Sequence, residues 1–216
     1  MRPAIPITTG SPCTRRGAEV RFEWFAEFAG GLLCLSGAST GEVGQCLLTG
    51  SEQSLALAGQ AAQRYAQVFG DRFYLEVQRV GSADDERLLR QTVALALQTK
   101  LVLVATHPVQ FLKPEDYRSH EARVCIAQGD TLANPKRQRL FTEEQYLKSS
   151  QEMAELFHDL PVALENTLAI AQRCNFIMNL GTPQLPNFPT PHGESLEDYL
   201  RLTSREGLVK RLVQRY

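Results

Sequence analysis

The sequence has little of what marks a membrane protein, a DNA-coating protein or a zinc protein. No run approaches the roughly 18 consecutive apolar residues that cross a bilayer, and the N-terminus has no apolar core of a secretory signal. Because 23 lysines and arginines face 24 acids, no strong field draws the whole chain to DNA. Five cysteines occur without a C-x-x-C pair or a tight Cys/His spacing. We expect a cytoplasmic protein with reduced thiols and no membrane partner.

What is present is an ordinary globular composition. The 216 residues are 43% hydrophobic and 22% charged, enough for one domain with a substantial core, or for one domain and the start of another. Residues 1–20 have no apolar period and no acid before Glu19, which predicts an unstructured segment. A non-native or mis-set start is our preferred explanation of this segment, and a transit peptide is the alternative.

From Phe22 to Thr106 the pattern alternates between helices and strands. The short strands are rich in branched aliphatic residues, as buried strands of a parallel sheet are. Predicted strands lie at 31–37, 72–80 and 101–106, and predicted helices at 21–30, within 40–50, at 51–69 with Ser51 as N-cap, and at 83–99. Strands that alternate with helices in this way form βαβ units, so the sequence predicts an α/β fold with functional groups at the strand C-termini.

The remainder of the chain is predicted to be mainly helical. Predicted helices lie at 114–128, at 143–158 after Thr142, at 161–173 and at 195–214, and 175–180 resembles one more short strand. Residues 181–195 contain several Pro and Gly, which predicts an extended linker, and "LPNFP" (185–189) within it reads as a stiff connector.

Several stretches of the chain resemble the alpha subunits of bacterial DNA polymerase III. They include "GLLCLSGASTGEVG", "DRFYLEVQRVG", "LVLVATHPVQFL" and "DYRSHEARVCIAQGDTLANPKR". The resemblance runs from about Phe22 to the end and points to the C-terminal half of the PHP (polymerase and histidinol phosphatase) domain. It implies a partial (β/α) barrel with mainly parallel strands, followed by helices and a Pro-rich linker. The expected segments are a non-family N-terminus (1–20), a partial PHP domain (21–181), and a linker with the first helix of the polymerase body (182–216).

Three positions where metal-competent members of the family hold metal ligands are altered in this chain. The resemblance places Ala38 where such members have a cysteine, and Pro108 and Gln110 where they have an aspartate and a histidine. Alanine and proline carry no side-chain donor, and a neutral amide is a poor ligand beside imidazole or carboxylate. We therefore assign no metal, cofactor or catalytic residue to the chain. His107, beside these positions, is predicted to have a structural role at the strand end.

Other candidate residues are also given mainly structural interpretations. Glu42 is expected to stabilise the N-terminus of a short helix, and Glu76 to form a salt bridge, although it could face the former metal cleft. His120 and Arg123 share one helix face and could buttress the barrel rim. The cluster Lys136, Arg137 and Arg139 could bind DNA phosphates, but a solvated loop is the preferred interpretation because no aromatic residues are interleaved with it.

The resemblance implies a role in DNA replication as a fragment of the replicative subunit, a DNA-directed DNA polymerase (nucleotidyltransferase). The intact subunit would use magnesium and palm carboxylates, which this chain lacks. Our first hypothesis is a metal-free structural and interaction domain whose partners are the proofreading exonuclease subunit, other replicase subunits and, through the intact subunit, DNA. The alternatives are a metal-dependent phosphoesterase using His107 and Glu76, and a truncated product with no independent function.

Overall fold

The computed structural model describes residues 20–178, 180–181, 183 and 188–215, together with the backbone of 8–9 and 18–19. The chain divides into two compact units, Met1–Cys174 and Asn175–Tyr216. The predicted boundary between the PHP domain and the linker, at 181/182, is not the same as this division after Cys174, and it stays a prediction.

Two short strands lie near the N-terminus. Strand β1 (Thr8–Thr9) pairs antiparallel with β2 (Ala18–Glu19), with Thr8 opposite Glu19. The prediction that residues 1–20 are unstructured therefore does not hold for these four residues. Strands pair through their backbone groups, so two-residue strands need no alternation of apolar and polar side chains. The sequence therefore carries no pattern that would predict them. The rest of this segment, 1–7 and 10–17, lies outside the described residues.

The first unit is built on a parallel three-stranded sheet, as the sequence predicts. Its strands are β3 (Cys34–Leu35), β4 (Phe73–Val77) and β5 (Val102–Ala105), in the order β3-β4-β5. Tyr74 of β4 lies between Leu35 and Val102. All five residues of β4 are buried, because neighbours on both edges and helices on its faces enclose it. The molecule is thus α/β with parallel strands.

Seven helices of at least seven residues lie in the described part of the first unit. They are α1 (Phe22–Phe28), α2 (Glu42–Leu48), α3 (Ser54–Phe69), α4 (Asp85–Thr99), α5 (Tyr117–Gln128), α6 (Ser150–Leu156) and α7 (Pro161–Arg173). Short 3₁₀ turns, Gly70–Arg72 and Pro114–Asp116, precede β4 and α5. Within the second unit, α8 (Leu196–Arg215) begins after Ser195, whose hydroxyl accepts a hydrogen bond from the Asp198 N–H at 3.1 Å.

Two apolar clusters hold the first unit together. Helices α2, α3 and α4 pack against β4 through a cluster that contains Leu47, Ala58, Leu75 and Leu95. The second cluster brings α6 and α7 to the C-terminal half of the sheet, with Phe157 completely buried at its centre. Burying a side chain of this size stabilises the fold by about 1.5–3 kcal/mol.

Helix α7 also closes the outer edge of the sheet. The Asn166 side-chain amide donates to the Leu103 carbonyl at 2.8 Å, and the Thr167 hydroxyl donates to the Ala105 carbonyl at 2.6 Å. Both carbonyls belong to β5, which has no strand on its other side among the described residues. Side-chain donors thus replace a fourth strand along this edge.

The predicted helix 143–158 is too long at its N-terminus. Phe111 and Tyr146 form an isolated parallel bridge, which holds this segment extended. Ser149 then begins the helix: its hydroxyl accepts from the Glu152 N–H at 3.2 Å, and Glu152 accepts from the Ser149 N–H at 2.7 Å. This reciprocal capping box, rather than Thr142, starts α6.

Three smaller predictions also fail or fall outside the described residues. Helix α3 begins at Ser54 without a side-chain cap, so Ser51 is not its N-cap. Residues 175–178 form no strand, and no described strand pairs with them. Phe176 and Ile177 are 87% and 90% exposed, so this apolar segment is not buried as a core strand would be. Of the predicted connector 185–189, residues 185–187 lie outside the described part of the chain.

Gly44 allows helix α2 to pack directly against the loop that follows β3. A Cβ atom at Gly44 would lie 1.7 Å from the Ala38 carbonyl oxygen, which is part of the backbone and cannot rotate away. Gly59 in α3 is the matched control, since a Cβ there would meet only Leu95 Cδ1, at 3.7 Å.

We expect Gly44→Ala to lower the free energy of unfolding by about 1–3 kcal/mol or more through this clash. Gly59→Ala is expected to be neutral or to stabilise by up to about 1 kcal/mol, because alanine favours the helix. Urea denaturation of the two variants provides the measurement. An equal loss of unfolding free energy in both variants would contradict the close packing of Gly44 against the Ala38 carbonyl.

Candidate functional site

The C-terminal ends of the three parallel strands open into a cleft of about 470 Å³. Loops that follow β3, β4 and β5 line it, together with the segment 139–145. Its polar lining consists of hydroxyls, amides and one cation: Ser39, Thr40, Ser82, Thr142, Gln78, Gln110, Gln145 and Arg139. This is the position where an α/β sheet places its functional groups, but no carboxylate, imidazole or thiol of the described residues lines it.

Glu76 connects the ends of all three strands. The residue is 8% exposed, and its Oε2 accepts a hydrogen bond from the Gly37 N–H, after β3, at 3.0 Å. Its Oε1 accepts from Gln78 at 2.9 Å and from the hydroxyl of Thr106, after β5. The predicted salt bridge of Glu76 is wrong, because neutral donors surround the carboxylate and no described cation pairs with it. A buried carboxylate that accepts three hydrogen bonds is well satisfied.

The three altered ligand positions lie in the loops of the strand ends. Ala38 is 4% exposed and adopts a positive φ of 41°, with its carbonyl against α2. Pro108 and Gln110 are held by one buried residue, Gln145: its side chain donates to the Pro108 carbonyl at 3.1 Å, and its carbonyl accepts from the Gln110 N–H at 2.8 Å. A neutral amide side chain therefore occupies the centre of this loop. No motif or periodic pattern in the sequence pointed to Gln145.

His107 attaches the same loop to the segment before α6. Its Nε2 is 2.8 Å from the Glu144 carbonyl, so this nitrogen carries the proton, and Nδ1 is buried without a partner among the described residues. Burial lowers the pKa of His107, and the charge of Lys148 acts in the same direction, whereas the bond to Glu144 opposes the shift. A neutral, hydrogen-bonded imidazole fits the predicted structural role.

Glu42 and Glu76 are not a catalytic pair. Glu42 lies in the first turn of α2, as the sequence predicts, and forms an exposed ion pair with Arg64 at 2.5 Å. The Tyr65 hydroxyl lies 3.3 Å from the same carboxylate. The two acids therefore share no hydrogen-bond partner among the described residues.

His120 and Glu121 are buried polar residues on α5. The His120 ring packs between Phe111 and Phe141, with ring centroids 5.5 and 4.8 Å away. Arg123 is exposed on the same face of α5. The ring contacts support the predicted structural role of His120, although neither of its nitrogens has a described hydrogen-bond partner.

The basic loop is not uniformly solvated. The Arg137 side chain is only 7% exposed and forms an ion pair with Glu121, whose side chain is 4% exposed. The hydrogen bond from this pair raises the pKa of Arg137. The predicted solvated cluster is therefore wrong for Arg137, which attaches the loop to α5, while Lys136 and Arg139 are exposed. Three charges in a polar loop gave no indication that one of them would be buried.

The residues of the cleft do not fit a metal ion. Among the described residues, no group of three or more histidine, cysteine, aspartate or glutamate side chains could hold one. The carboxylate oxygens of Glu76 are engaged by Gly37, Gln78 and Thr106. Hydroxyls, amides and a guanidinium form a poor ligand set for a divalent cation.

Comparison with known proteins gives a consistent family relationship. Residues 8–80 match the profile of the PHP domain, so the match includes part of the segment 1–20 that was expected to lie outside the family. The DNA polymerase III alpha subunit of Pseudomonas aeruginosa is 50% identical over 208 residues, which is 95% of this chain and 18% of that protein.

Two further relatives are also alpha subunits of DNA polymerase III. The alpha subunit of Neisseria meningitidis serogroup A is 50% identical over 92% of this chain and 17% of its own length. That of Escherichia coli K12 is 44% identical over 88% of the chain and 16% of its own length. The chain thus spans less than a fifth of the length of these curated relatives. The resemblance to alpha subunits of DNA polymerase III is confirmed.

Glu76→Gln tests the carboxylate at the strand ends. The amide keeps the size of the side chain but places an NH₂ group against donors, so we expect the free energy of unfolding to fall by about 1–3 kcal/mol. Glu42→Gln is the matched control: it breaks an exposed ion pair and should cost about 0–1 kcal/mol. Urea denaturation at pH 7 compares them. A loss for Glu42→Gln as large as that for Glu76→Gln would contradict the central role of Glu76.

His107 should make stability depend on pH. In the unfolded chain its imidazole takes up a proton near its ordinary pKa of about 6.5, whereas in the folded protein its pKa is lower. As the pH falls below about 6.5, protonation favours the unfolded state until the pH passes the folded pKa.

The wild type should therefore lose more stability between about pH 7 and pH 5 than His107→Gln, whose amide can donate to Glu144 without titrating. Denaturation at several pH values measures this difference. The control, His192→Gln, makes the same substitution at an exposed histidine. Parallel pH profiles for the wild type and His107→Gln would refute the assignment.

Proposed function

Starting from the relationship of this chain to the alpha subunit of bacterial DNA polymerase III, we propose that it serves DNA replication as a metal-free structural and interaction PHP segment of that subunit. The observation that carries this proposal is the chemistry of the strand-end cleft. Among the described residues, neutral hydroxyls and amides and one guanidinium supply its polar lining, and the nearby buried carboxylate of Glu76 is used to hold loops together. Such a site has no group suited to activating water.

Nucleotidyl transfer would belong to other parts of the intact subunit. The chain spans less than a fifth of its curated relatives, and the palm carboxylates and magnesium that the family uses are expected outside the region it covers. By itself the chain is expected not to polymerise DNA. A fragment of the replicative subunit is therefore our preferred description, and its expected place is the cytoplasm, where bacterial DNA is copied. Among the described residues, no helix has the length and apolar character to span a membrane.

Ion pairs and hydrogen bonds make the first unit a firm platform for partners. Arg79, after β4, donates to Glu86 at 2.7 Å, to Asp159 at 2.6 Å and to the Leu156 carbonyl at 2.6 Å, and it lies over the Phe157 ring. The pairing lowers the pKa of Asp159 to about 2. A scaffold held in this way can present a fixed surface, which supports docking of the proofreading exonuclease subunit and other replicase subunits.

Competition for the exonuclease tests the interaction role. An intact alpha subunit that binds its exonuclease subunit is mixed with increasing amounts of this 216-residue chain, and the exonuclease recovered with the subunit is measured. We expect the chain to reduce recovery, and deletion of the equivalent region from the intact subunit to weaken binding at least about tenfold, or about 1.4 kcal/mol. No competition, together with full binding by the deletion variant, would contradict the proposal.

Hydrolysis assays separate this proposal from the phosphoesterase alternative. The chain is incubated with a generic phosphomonoester and either manganese or zinc, and product release and bound metal are measured. The expected result is no rate above that of the metal alone. Stoichiometric metal and an activity that disappears in His107→Ala would overturn the structural assignment.

A further inference from the structure

A second pocket lies outside the strand-end cleft, between α5 and the segment that follows β5. Its volume is about 340 Å³, and we call it the α5 pocket. Gln110, Phe111, Leu112 and Asp116 line it from the segment after β5, and Ser119, His120 and Arg123 line it from α5. It shares only Gln110 with the strand-end cleft.

The ring nitrogens of His120 at this pocket lack hydrogen-bond partners in the described part of the chain. The residue is 8% exposed, and both ring nitrogens are buried without a hydrogen-bond partner among the described residues. A neutral imidazole has one donor and one acceptor, so the ring has an unsatisfied donor in either tautomer. Buried polar groups are rarely left in this state, and an unsatisfied one commonly marks a bound water molecule or ion.

The other polar side chains of the α5 pocket offer free donors. Arg123 is exposed and forms no ion pair with a described residue, and its guanidinium shares a helix face with His120 at a spacing of three. The side chains of Ser119 and Gln110 have no described hydrogen-bond partner. Asp116 is the one acid in the lining, and its Oδ2 already accepts from the Lys113 N–H at 3.1 Å.

We propose that the α5 pocket binds a phosphate group, held by Arg123 and supported by Ser119, Gln110 and His120. A tetrahedral phosphate offers several acceptor oxygens, enough to accept from all four donor groups, and its charge complements the Arg123 guanidinium. Arginine is well suited to phosphate because its planar fork can donate two hydrogen bonds at once. The phosphate would reach the His120 donor directly or through one water molecule.

The site is independent of the proposed structural function. Glu76 and its partners Gly37, Gln78 and Thr106 do not line it, and of the positions 38, 108 and 110 it shares Gln110, whose side chain would be one of the donors. Its ligand could be free phosphate or a phosphate at the end of a nucleic acid strand, and the chemistry that recognises the two is the same. The experiment below distinguishes these sources.

Histidine ring signals in the NMR spectrum of the full chain test the proposal. The sequence has four histidines, so the spectrum is simple, and His120→Gln identifies the His120 signal. Inorganic phosphate should shift that signal along a saturable curve. In Arg123→Ala the apparent Kd should rise at least about tenfold, because a charge-assisted contact is lost.

Arg118→Ala is the matched control. Arg118 lies on the same helix, is exposed, and points roughly 140° away from Arg123 at about 100° per residue, so it does not line the pocket. Its removal changes the net charge equally and should leave the apparent Kd within about twofold, which is less than about 0.5 kcal/mol.

Titrations with oligonucleotides identify the source of the phosphate. If a 5′-phosphorylated oligonucleotide shifts the His120 signal and its unphosphorylated counterpart does not, the pocket accepts a strand end; if only inorganic phosphate acts, the ligand is small and free. An absent or non-saturable shift with every probe would overturn the proposal. Equal weakening in Arg118→Ala and Arg123→Ala would also overturn it, because general charge attraction would then account for the binding.

Discussion

The first unit depends on one buried carboxylate that must be satisfied by neighbours from three strands. Glu76 is on the central strand, and water reaches little of it. A buried charge without hydrogen bonds is very unfavourable, so the loops after β3 and β5 have to bring Gly37 and Thr106 to it. The backbone N–H of Glu76 in turn donates to the Ser36 hydroxyl at 2.9 Å. The shape of the strand-end cleft follows from these constraints.

The same arrangement explains how the cleft persists without coordinating groups. A divalent cation would draw ligands from several loops to one point. In this chain Gln145 draws them together instead, through hydrogen bonds to Pro108 and Gln110, and Thr142 donates to the Val80 carbonyl. Hydrogen bonds of this kind hold a loop in place at any metal concentration. They are suited to keeping the surface around the cleft constant.

The sequence predicted the order of elements in the first unit because branched aliphatic strands and amphipathic helices repeat there at their own periods. It failed where contacts distant in sequence decide the outcome. The segment 143–148 has helical composition, yet a turn at 143–144 and the pairing of Tyr146 with Phe111 keep it out of a helix. At the site, the hydrogen bonds of Glu76 and the buried Arg137 were missed, and the assignment of Ala38, Pro108 and Gln110 to former ligand positions stays a prediction. The hydrogen-bond partners of a carboxylate leave no periodic pattern in the sequence. The burial of one arginine among three basic residues leaves none either, so neither could be predicted.

The side chains of α7 have a consequence for how copies of this chain would associate. The Thr106 N–H donates to the Val77 carbonyl, so residues 102, 104 and 106 face β4, and the carbonyls of Leu103 and Ala105 point outward. Asn166 and Thr167 occupy those carbonyls, which leaves β3 as the open edge of the three-stranded sheet in the described part of the chain. Fibrous growth by strand addition needs two free edges in every molecule. With one edge blocked, two copies could join β3 to β3 and would then have no edge left for a third, so association through this sheet would end at pairs.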